Sequence, residues 1–532
     1  MKTIAILDTT LRDGAQSTYI SYSLEDKLSI IGVLDGLSIP FIEVGNPAAS
    51  HLDKALFQRL KKGGYRSHMV AFGSTARVGV RPEEDAGLKA LLEAGTEYIS
   101  LFGKTSLLHV KEILGVSPEE NLHMIEDSIR FLTEAGHKVF FDAEHYFDGY
   151  KLDKNYALQC LKAAEHAGAD TAILCDTCGG TLPEEIADIV RDTAAQLSLP
   201  VGIHTHDDTG CAVASAISAV RAGAVQVQGT FLGYGERCGN CNLSALIPDL
   251  QLKLHYSCVP DRALLRFTTS AAFIAEVSNI PLRSQMPYVG ASAFAHKAGM
   301  HVDAVTKLPC SFEHIEPETV GNERQLVLSE MSGRAAILRH MESIDPTLGK
   351  QSPEIIAIAD KVKEMTERGF KYEAAGASFE MLVLGMLGRM PDFFQLAEYR
   401  IIGEQTDENL NKPTTAMVKI SVGGRTELTA AEGSGPINAL DFALRKALEV
   451  FYPVLKSVRL TDYKVRVITP KRASAAVVRV LISSTDGRNI WSTVGASDDM
   501  IGASWLALAD SMRYKLYLEH KEKYGKDETT CQ

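Results

Sequence analysis

The chain of 532 residues is too long for one ordinary domain, and its composition of 45% hydrophobic and 23% charged residues is typical of a globular protein. A net charge of −12 argues against a nucleic-acid-binding protein, which usually carries a basic stripe. No apolar run approaches the roughly 20 residues of a membrane-spanning helix, and the N-terminus lacks the long apolar stretch of a signal peptide. These properties predict a cytoplasmic protein of about two to four domains, without nucleic-acid or membrane partners.

Predicted strands and helices alternate along the first half of the chain. The predicted strands are Thr3–Leu7, Phe41–Val44, His68–Phe72, Tyr98–Phe102, Lys138–Asp142, Thr171–Cys175, Val201–His204 and Ala224–Thr230. Helical periodicity separates them, at Leu24–Leu37, Pro82–Ala94, Pro118–Ala135, Lys154–Ala167, Pro183–Leu197 and Cys211–Ala222. Eight such units over about 250 residues predict an α/β fold, a closed (β/α)8 TIM barrel over residues 1–255. An open doubly wound sheet is the alternative, but it would usually carry a Gly-rich dinucleotide motif where this chain reads DTTLRDG.

Residues 256–398 are predicted to form a mainly helical linker subdomain, with Ala263–Ser278 and Pro353–Arg368 as its clearest helices. A Pro- and Gly-punctuated stretch, Asn279–Pro309, lies between them. Its apolar content stays high, which favours a folded segment over disorder.

An α+β domain with an internal repeat is predicted over residues 399–520, followed by a charged tail at 521–532. The first half has strands Ala416–Val422 and Thr426–Ala431, a turn at Gly433–Pro436 and a helix at Ile437–Phe451. The second half has strands Lys464–Ile468 and Ala475–Ser483, a turn at Gly495–Ser497 and a helix at Met500–Tyr517. The two glycine turns lie about 62 residues apart. Such a module is more typical of ligand sensing than of catalysis, and a coincidental α+β pattern is the alternative.

Candidate metal ligands follow three of the predicted strands. Asp13 comes just after strand one, although a loop closed by a salt bridge would also explain the acid there. His204 and His206 lie two apart on strand seven and so face the same side, which favours a pair of ligands over one structural histidine. The amide oxygen of Asn240 follows strand eight. This mixed nitrogen and oxygen set suits Mg²⁺, Mn²⁺ or Zn²⁺.

Two further strand ends carry polar groups at the same rim of the predicted barrel. Glu144 follows strand five, and a carboxylate near a metal could act as a base. Thr177 follows strand six beside two glycines, where its hydroxyl could bind a substrate carboxylate. Catalytic groups of TIM barrels lie at the carboxyl ends of the strands, which is where both residues fall.

The pairs Cys175/Cys178 and Cys238/Cys241 each have the CxxC spacing of a zinc site. About 60 residues separate them, which is well beyond the usual zinc-ribbon spacing. We therefore expect free thiols, with a zinc knuckle as the less favoured alternative.

Taken together, LDTTLRDGAQ, HTHDDTG and GYGERCGN resemble the motifs of the Claisen-condensing synthases, which include isopropylmalate, homocitrate and citramalate synthases. The wider superfamily includes hydroxymethylglutaryl-CoA lyase, aldolases and carboxyltransferase domains. The resemblance extends to the run AFAHKAGMHVD at residues 293–303, which is similar to the linker subdomain of these synthases, and to their C-terminal amino-acid-sensing domain.

The resemblance implies roles for individual residues. Asp13, His204 and His206 would bind the divalent metal, with Asn240 near or on it. Substrate contacts would come from Arg12, Gln16 and Thr177. Glu144 and His301 would form or orient the base that takes a proton from acetyl-CoA, with His301 supplied by the partner subunit's linker in an obligate homodimer.

Among these synthases, FDAEHYFDGYK and FYPVLKSVRLTDYKVRV most resemble the citramalate synthases. That resemblance implies an acyltransferase that condenses acetyl-CoA with pyruvate and water to give (R)-citramalate and CoA, in isoleucine biosynthesis. A 2-isopropylmalate synthase acting on 2-oxoisovalerate in leucine biosynthesis is the alternative, because one or two methylenes change selectivity by only about 1–3 kcal/mol.

A metal-dependent lyase or aldolase on the same barrel belongs to a different class, and such enzymes normally lack the linker and C-terminal module. A biotin-dependent carboxyltransferase would need an AMKM-like sequence, and AMVK at residues 416–419 does not fit. A sensing protein with an inactive barrel is disfavoured by the complete set of predicted catalytic residues. A branched-chain amino acid is the expected effector of the C-terminal domain, near Gly433, Gly435, Gly495 and Asp498.

Overall fold

A computed structural model of the chain describes residues 2–61, 63–297, 299–326, 352–403, 413–468, 477–487 and 489–524. Two compact units divide the chain. The first comprises Met1–Ala295 and His314–Gln325, and the second comprises His296–Glu313 and Leu326–Gln532. The chain therefore crosses between the units more than once. The domain boundaries expected at residues 255 and 398 stay predictions.

The first unit contains a closed barrel of eight parallel strands in sequential order. The strands are β1 (Ala5–Asp8), β2 (Phe41–Gly45), β3 (His68–Ser74), β4 (Tyr98–Lys104), β5 (Lys138–Glu144), β6 (Thr171–Asp176), β7 (Val201–Thr205) and β8 (Gln226–Gly229). Because β1 pairs in parallel with both β2 and β8, the sheet has no edge. The predicted TIM barrel is confirmed, and the open sheet is excluded.

Helices follow the strands and cover the barrel. They span Leu24–Gly36, His51–Leu60, Ala86–Ala94, Leu107–His109, Pro118–Glu134, Tyr146–Leu152, Lys154–His166, Pro183–Ala194 and Ala212–Ala222. All six helices predicted in this half are present. The helices His51–Leu60 and Tyr146–Leu152 were not among the predictions, because both are short and follow polar loops. Side chains cap several of these helices, as where Asp85 accepts hydrogen bonds from the amides of Gly87 and Leu88.

Aromatic packing closes the amino-terminal end of the barrel. The buried cluster inside it comprises Leu7, Val70, Tyr98, Phe140, Ile173 and Cys175, with Phe41 packed against them. The Phe41 ring lies 4.9 Å from that of Tyr98 and 5.2 Å from that of Phe140, centroid to centroid. Phe41 and Tyr98 are the first residues of β2 and β4, so the space left for ligands lies toward the carboxyl ends of the strands.

Short helices and loops continue the first unit beyond the barrel. The helices here are Leu243–Pro248, Asp261–Leu264 and Phe267–Val277. Two-residue strands, β9 (Ala295–His296) and β10 (Gln325–Leu326), lie where the chain passes from the first unit to the second. The prediction of one helix over Ala263–Ser278 is close to the helix Phe267–Val277. In the second unit, helices span Gly299–Lys307, Pro353–Glu367 and Gly376–Met386.

Two consecutive β-β-β-α modules make up the C-terminal part. The first has strands β11 (Gln395–Gly403), β12 (Thr414–Val422) and β13 (Arg425–Gly433), followed by the helix Pro436–Glu449. The second has strands β14 (Arg459–Val467), β15 (Val478–Thr485) and β16 (Ile490–Ser497), followed by the helix Met500–Tyr524. Each set of strands forms an antiparallel three-stranded sheet. The predicted α+β repeat is therefore present, with one more strand in each half than expected.

The turn predicted at Gly495–Ser497 is wrong, because these residues are the last three of β16. The segment expected to be mainly helical up to residue 398 ends in strand instead, because its last four residues begin β11, Gln395–Gly403. Gly433 and Gly495 are not turn residues but points of close strand-to-helix packing. A Cβ on Gly495 would lie 2.0 Å from the carbonyl oxygen of Ala503, and one on Gly433 would lie 2.4 Å from the amide nitrogen of Ala439.

Among the residues that the structure describes, no helix combines the length and the apolar character needed to cross a membrane.

Candidate active site

Asp13, His204 and His206 form a buried cluster at the carboxyl ends of the barrel strands. Asp13 follows β1, His204 belongs to β7, and His206 comes just after β7. The Nε2 atom of His204 lies 3.3 Å from Asp13 Oδ2 and 3.3 Å from His206 Nε2. The sequence prediction that these three side chains meet agrees with this geometry, although their metal-binding role stays a prediction.

The spacing of these three groups fits a divalent ion. Ligand atoms held about 2.1 Å from a shared ion lie about 3.0 Å apart at right angles and about 3.4 Å apart at the tetrahedral angle. One oxygen and two nitrogens of the cluster all lie within 4.8 Å of one another. Without an ion, one of the two facing imidazole nitrogens must carry a proton. The donor set and its distances therefore fit Mg²⁺, Mn²⁺ or Zn²⁺.

A chain of hydrogen bonds orients His204. The Nε2 of Gln228 donates to Asp142 Oδ1 at 2.8 Å, which leaves the Oε1 of Gln228 to accept from His204 Nδ1 at 2.9 Å. His204 Nδ1 must then carry the proton, so in the neutral ring the lone pair is on Nε2 and faces Asp13 and His206. Partners of this kind fix the tautomer of metal-binding histidines.

Charges around the cluster favour an ionised Asp13 and a neutral His206. Burial opposes ionisation of Asp13, but the Arg12 guanidinium and the His204 imidazole hold its pKa well below the ordinary value. Burial and the neighbouring His204 lower the pKa of His206 to about 4. Burial also acts to lower the pKa of His204, yet its contact with Asp13 raises it. Ionised carboxylates and neutral imidazoles are the forms that bind cations.

Arg12 is held in place by two contacts. Its Nε donates to Glu43 Oε2 at 2.5 Å, and its guanidinium carbon lies 3.8 Å from the centre of the Phe72 ring. A second guanidinium nitrogen lies 3.5 Å from Asp13 Oδ2. Glu43 is fully buried on β2, so the ion pair and the aromatic face together fix the plane of the guanidinium.

A cavity of about 380 Å³ opens beside this cluster. The sequence-predicted residues that line it are Arg12, Asp13, Gln16, Glu144, Thr177, His204 and His206. Other lining residues include Phe72, Phe102, Asp142, Cys175 and Arg237. Seven residues chosen from four strand ends thus meet around one space.

Glu144 and Thr177 are each engaged by a neighbour. The carboxylate of Glu144 lies 2.5 Å from Lys104 Nζ. The hydroxyl of Thr177 accepts from the amide of His145 at 2.9 Å, and its carbonyl accepts from Arg237 at 2.8 Å. Glu144, at the end of β5, and Thr177, in the turn after β6, therefore both line the cavity with neighbours that hold them in place.

Asn240 lies beside His206 but does not line the cavity. Asn240 forms an isolated antiparallel β-bridge with His206, and its Nδ2 donates to the carbonyl of Tyr234 at 3.1 Å. The buried Oδ1 atom has no hydrogen-bond partner in the part of the chain that the structure describes. An unsatisfied buried oxygen next to the candidate metal cluster fits a place near the ion.

His301 and the predicted effector residues belong to the second unit. His301 is exposed on the helix Gly299–Lys307, with its ring 4.2 Å from that of Phe312. Gly433 and Gly495 lie at the ends of β13 and β16, Gly435 precedes the next helix, and Asp498 is exposed just after β16. Their roles stay predictions.

The two CxxC pairs do not come together. Cys175 and Cys241 are buried, whereas Cys178 and Cys238 are exposed. No group of these four cysteines lies within metal-binding distance among the described residues. The zinc-knuckle alternative therefore has no support from the structure.

Sequence reasoning missed Glu43, Lys104, Gln228 and Asp142 as partners of the site residues. Glu43, Lys104 and Asp142 lie at or near the carboxyl ends of β2, β4 and β5, so a search of every strand end for polar side chains would have found them. Gln228 lies one residue before the end of β8. Nothing in the local sequence indicates which of these four side chains contacts which predicted site residue.

A TIM barrel with a polar, charged cavity at the carboxyl ends of its strands is the architecture of an enzyme of the (β/α)8 class. A family described as HMGL-like matches residues 3–265. A homocitrate synthase post-HMGL domain-like family matches residues 288–369, and the LeuA allosteric (dimerisation) domain matches residues 373–516.

Relatives that align over nearly the whole chain identify the family more closely. The chain is 45% identical to an (R)-citramalate synthase of Geobacter sulfurreducens, over 97% of this chain and 98% of the relative. It is 47% identical to an (R)-citramalate synthase of Aquifex aeolicus, over 98% of this chain and 99% of the relative. A 2-isopropylmalate synthase of Pyrococcus furiosus is 31% identical, over 94% of this chain and 97% of the relative. The chain belongs to the family of the (R)-citramalate synthases.

Proposed function

We propose that the chain is an acyltransferase that condenses acetyl-CoA with pyruvate and water to give (R)-citramalate and CoA. The observation that carries this proposal is the convergence of Arg12, Asp13, Glu144, Thr177 and the His204–His206 pair around one cavity. Identity of 45–47% to relatives of that activity over nearly the whole chain supports the choice of substrates.

In this proposal, Asp13, His204 and His206 hold a divalent ion, with Asn240 beside them. When bound, the ion supplies Lewis acidity that polarises the ketone of the 2-oxo acid. Gln228 and Asp142 keep the lone pair of His204 directed at the site. The buried position of the cluster excludes water, which strengthens every charge interaction within it.

Arg12 stabilises the negative charge that develops on the former ketone oxygen. Because Glu43 and Phe72 already fix its guanidinium, little reorganisation is needed when that charge appears. Thr177 and Gln16 line the same cavity and hold the carboxylate of the 2-oxo acid.

Glu144 is the group that takes a proton from the methyl of acetyl-CoA, with His301 of the partner subunit orienting it or sharing the proton. The carbanion then attacks the ketone carbon, and water hydrolyses the thioester to release CoA. The contact with Lys104 Nζ holds the Glu144 carboxylate in place before substrate arrives.

The apolar part of the cavity wall is where we place the side chain of the 2-oxo acid. Phe72, Phe102 and Cys175 supply it, and the two rings stack with centroids 5.3 Å apart. One face of Phe72 is already covered by Arg12. In this proposal the methyl group of pyruvate lies against this wall.

The remaining parts of the proposal concern assembly and regulation. The match to the LeuA allosteric (dimerisation) domain supports a homodimer, and we propose that a linker subdomain over residues 256–398 is exchanged within it. A domain over residues 399–520 would bind a branched-chain amino acid near Gly433, Gly435, Gly495 and Asp498. Isoleucine is the expected effector, since the product leads toward it, and the enzyme is expected to be cytoplasmic.

A thiol-release assay with acetyl-CoA and Mg²⁺ or Mn²⁺ tests the proposal. Pyruvate, 2-oxobutyrate, 2-oxoisovalerate and 2-oxoglutarate are compared at equal concentration. We expect the highest kcat/KM with pyruvate. A preference for 2-oxoisovalerate would make the enzyme an isopropylmalate synthase, and no thiol release with any of the four would overturn the condensation reaction.

A further inference from the structure

Three side chains with different metal-binding atoms meet beside the candidate active site. His145 follows β5, Asp148 lies one turn into the next helix, and Cys178 lies in the loop after β6. The Nδ1 atom of His145 lies 3.6 Å from Asp148 Oδ2 and 3.7 Å from Cys178 Sγ. All three atoms fall within 4.8 Å of one another.

His145 is held with its Nδ1 toward the other two groups. Its backbone adopts a left-handed conformation with φ of 59°, which is uncommon for a residue other than glycine. The amide of His145 donates to Thr177 Oγ1 at 2.9 Å, and its ring stacks on that of His109 with centroids 3.7 Å apart. The imidazole is therefore positioned by its backbone and by a second ring before any ion binds.

The His145–Asp148 distance is long for a hydrogen bond, and both distances from His145 suit a shared ion. A good N–H···O bond is about 2.7–3.2 Å long, so the 3.6 Å contact of His145 with Asp148 is a weak one. Zinc bonds of about 2.0 Å to nitrogen and oxygen and about 2.3 Å to sulfur, at the tetrahedral angle, place N and O about 3.3 Å apart and N and S about 3.5 Å apart. The observed distances are within a few tenths of an ångström of these values.

The charges near the three groups are compatible with a cation. The Arg237 guanidinium acts electrostatically on Cys178, but it is paired with both carboxylate oxygens of Asp208 at 2.8 and 2.9 Å. The Nζ of Lys151 donates to Thr181 Oγ1 at 3.1 Å and lies 3.5 Å from Glu185 Oε2. Both positive charges are thus partly neutralised by other partners.

We propose that His145, Asp148 and Cys178 form a second divalent-cation site, which takes zinc-type ions and leaves one position open to water. A thiolate and an imidazole select Zn²⁺ or Co²⁺ over Mg²⁺, which prefers oxygen ligands. Burial and the neighbouring Asp148 raise the pKa of Cys178 to about 11, so binding releases the thiol proton to solvent. The bound ion would join the turn after β5 to the turn after β6.

Cobalt titration of the full-length, fully reduced protein tests this site without any need for turnover. Co²⁺ bound to a thiolate shows a sulfur-to-metal charge-transfer band, and the Asp13–His204–His206 cluster has no sulfur to produce one. We expect a band that saturates at one thiolate-bound ion per chain and is displaced by excess Zn²⁺ but not by millimolar Mg²⁺.

Three variants decide whether the band comes from this cluster. Cys178→Ser should abolish it, and His145→Asn should weaken cobalt binding at least tenfold while tolerating the left-handed backbone, which Asn adopts more readily than most residues. Cys238→Ser changes another exposed cysteine of the barrel rim and should leave the band unchanged. A wild-type protein without the band, or a Cys178→Ser protein that keeps it, overturns the proposal.

Discussion

Gln228 offers a sharp test of how the barrel prepares His204 for metal binding. It is fully buried on β8, and its amide links His204 Nδ1 at 2.9 Å to Asp142 Oδ1 at 2.8 Å. Gln228→Leu keeps the volume but leaves His204 without the acceptor that fixes its tautomer. Loss of such a partner typically weakens metal binding about 10–100-fold, or about 1.4–2.7 kcal/mol.

Equilibrium dialysis with Mn²⁺ would measure the affinity, and thiol release at saturating Mn²⁺ would show whether the bound enzyme still turns over. Gln226→Leu is the matched control, because Gln226 is buried two residues earlier on β8 and its Nε2 has no hydrogen-bond partner among the described residues. We expect wild-type affinity for this control. If the folded Gln228→Leu protein bound Mn²⁺ as tightly as wild type, or if both variants lost affinity equally, the argument from the tautomer would be refuted.

Three further outcomes follow from the structure. Phe102→Val should widen the space at the apolar wall and raise kcat/KM for 2-oxoisovalerate relative to pyruvate by about 10–200-fold. This range is the usual discrimination between substrates that differ by one methylene in an apolar pocket. An unchanged ratio of the two kcat/KM values would place the substrate side chain elsewhere. Gly495→Ala should destabilise the C-terminal modules by about 1–3 kcal/mol in thermal unfolding, whereas Gly435→Ala, with nothing within 4 Å of the added Cβ, should be tolerated. Asp85→Ala should cost about 1 kcal/mol at pH 7 in urea unfolding. Burial opposes ionisation of Asp85, but hydrogen bonds from Arg77, Gly87 and Leu88 lower its pKa. This stabilisation is therefore present above about pH 4 and lost as the pH falls through the folded-state pKa of Asp85. An equal loss of unfolding free energy in Asp85→Ala at pH 7 and at about pH 2.5 would contradict the reasoning.

The barrel could be predicted because each of its parts has a local signal. The strands of a parallel sheet are buried on both faces and so appear as short apolar, β-branched runs, and the helices between them show a period of 3.6 residues. The meeting of Asp13, Glu144, Thr177, His204 and His206 at one cavity could be predicted for the same reason, since the fold brings strand ends to one rim and each strand end is visible in the sequence.

The C-terminal modules show where local signals fail. β11 and β16 were missed, and Gly495 was assigned to a turn, because glycine in a sequence usually marks a turn. In the structure Gly495 lies within a strand, where a Cβ would lie 2.0 Å from the Ala503 carbonyl of the following helix. The close approach of a helix to a sheet is a property of packing, and one sequence does not report it.

The sequence by itself therefore determined the succession of strands in the barrel, its closure and the residue types at its rim, since each depends on neighbours along the chain. Only the tertiary structure decided which partners those residues have. Lys104 with Glu144, Gln228 with His204, and Phe72 with Arg12 are separated by 24 to 60 residues along the chain. Such contacts arise from the closure of the barrel, which brings distant strand ends to one rim, and no local pattern specifies which side chains then meet.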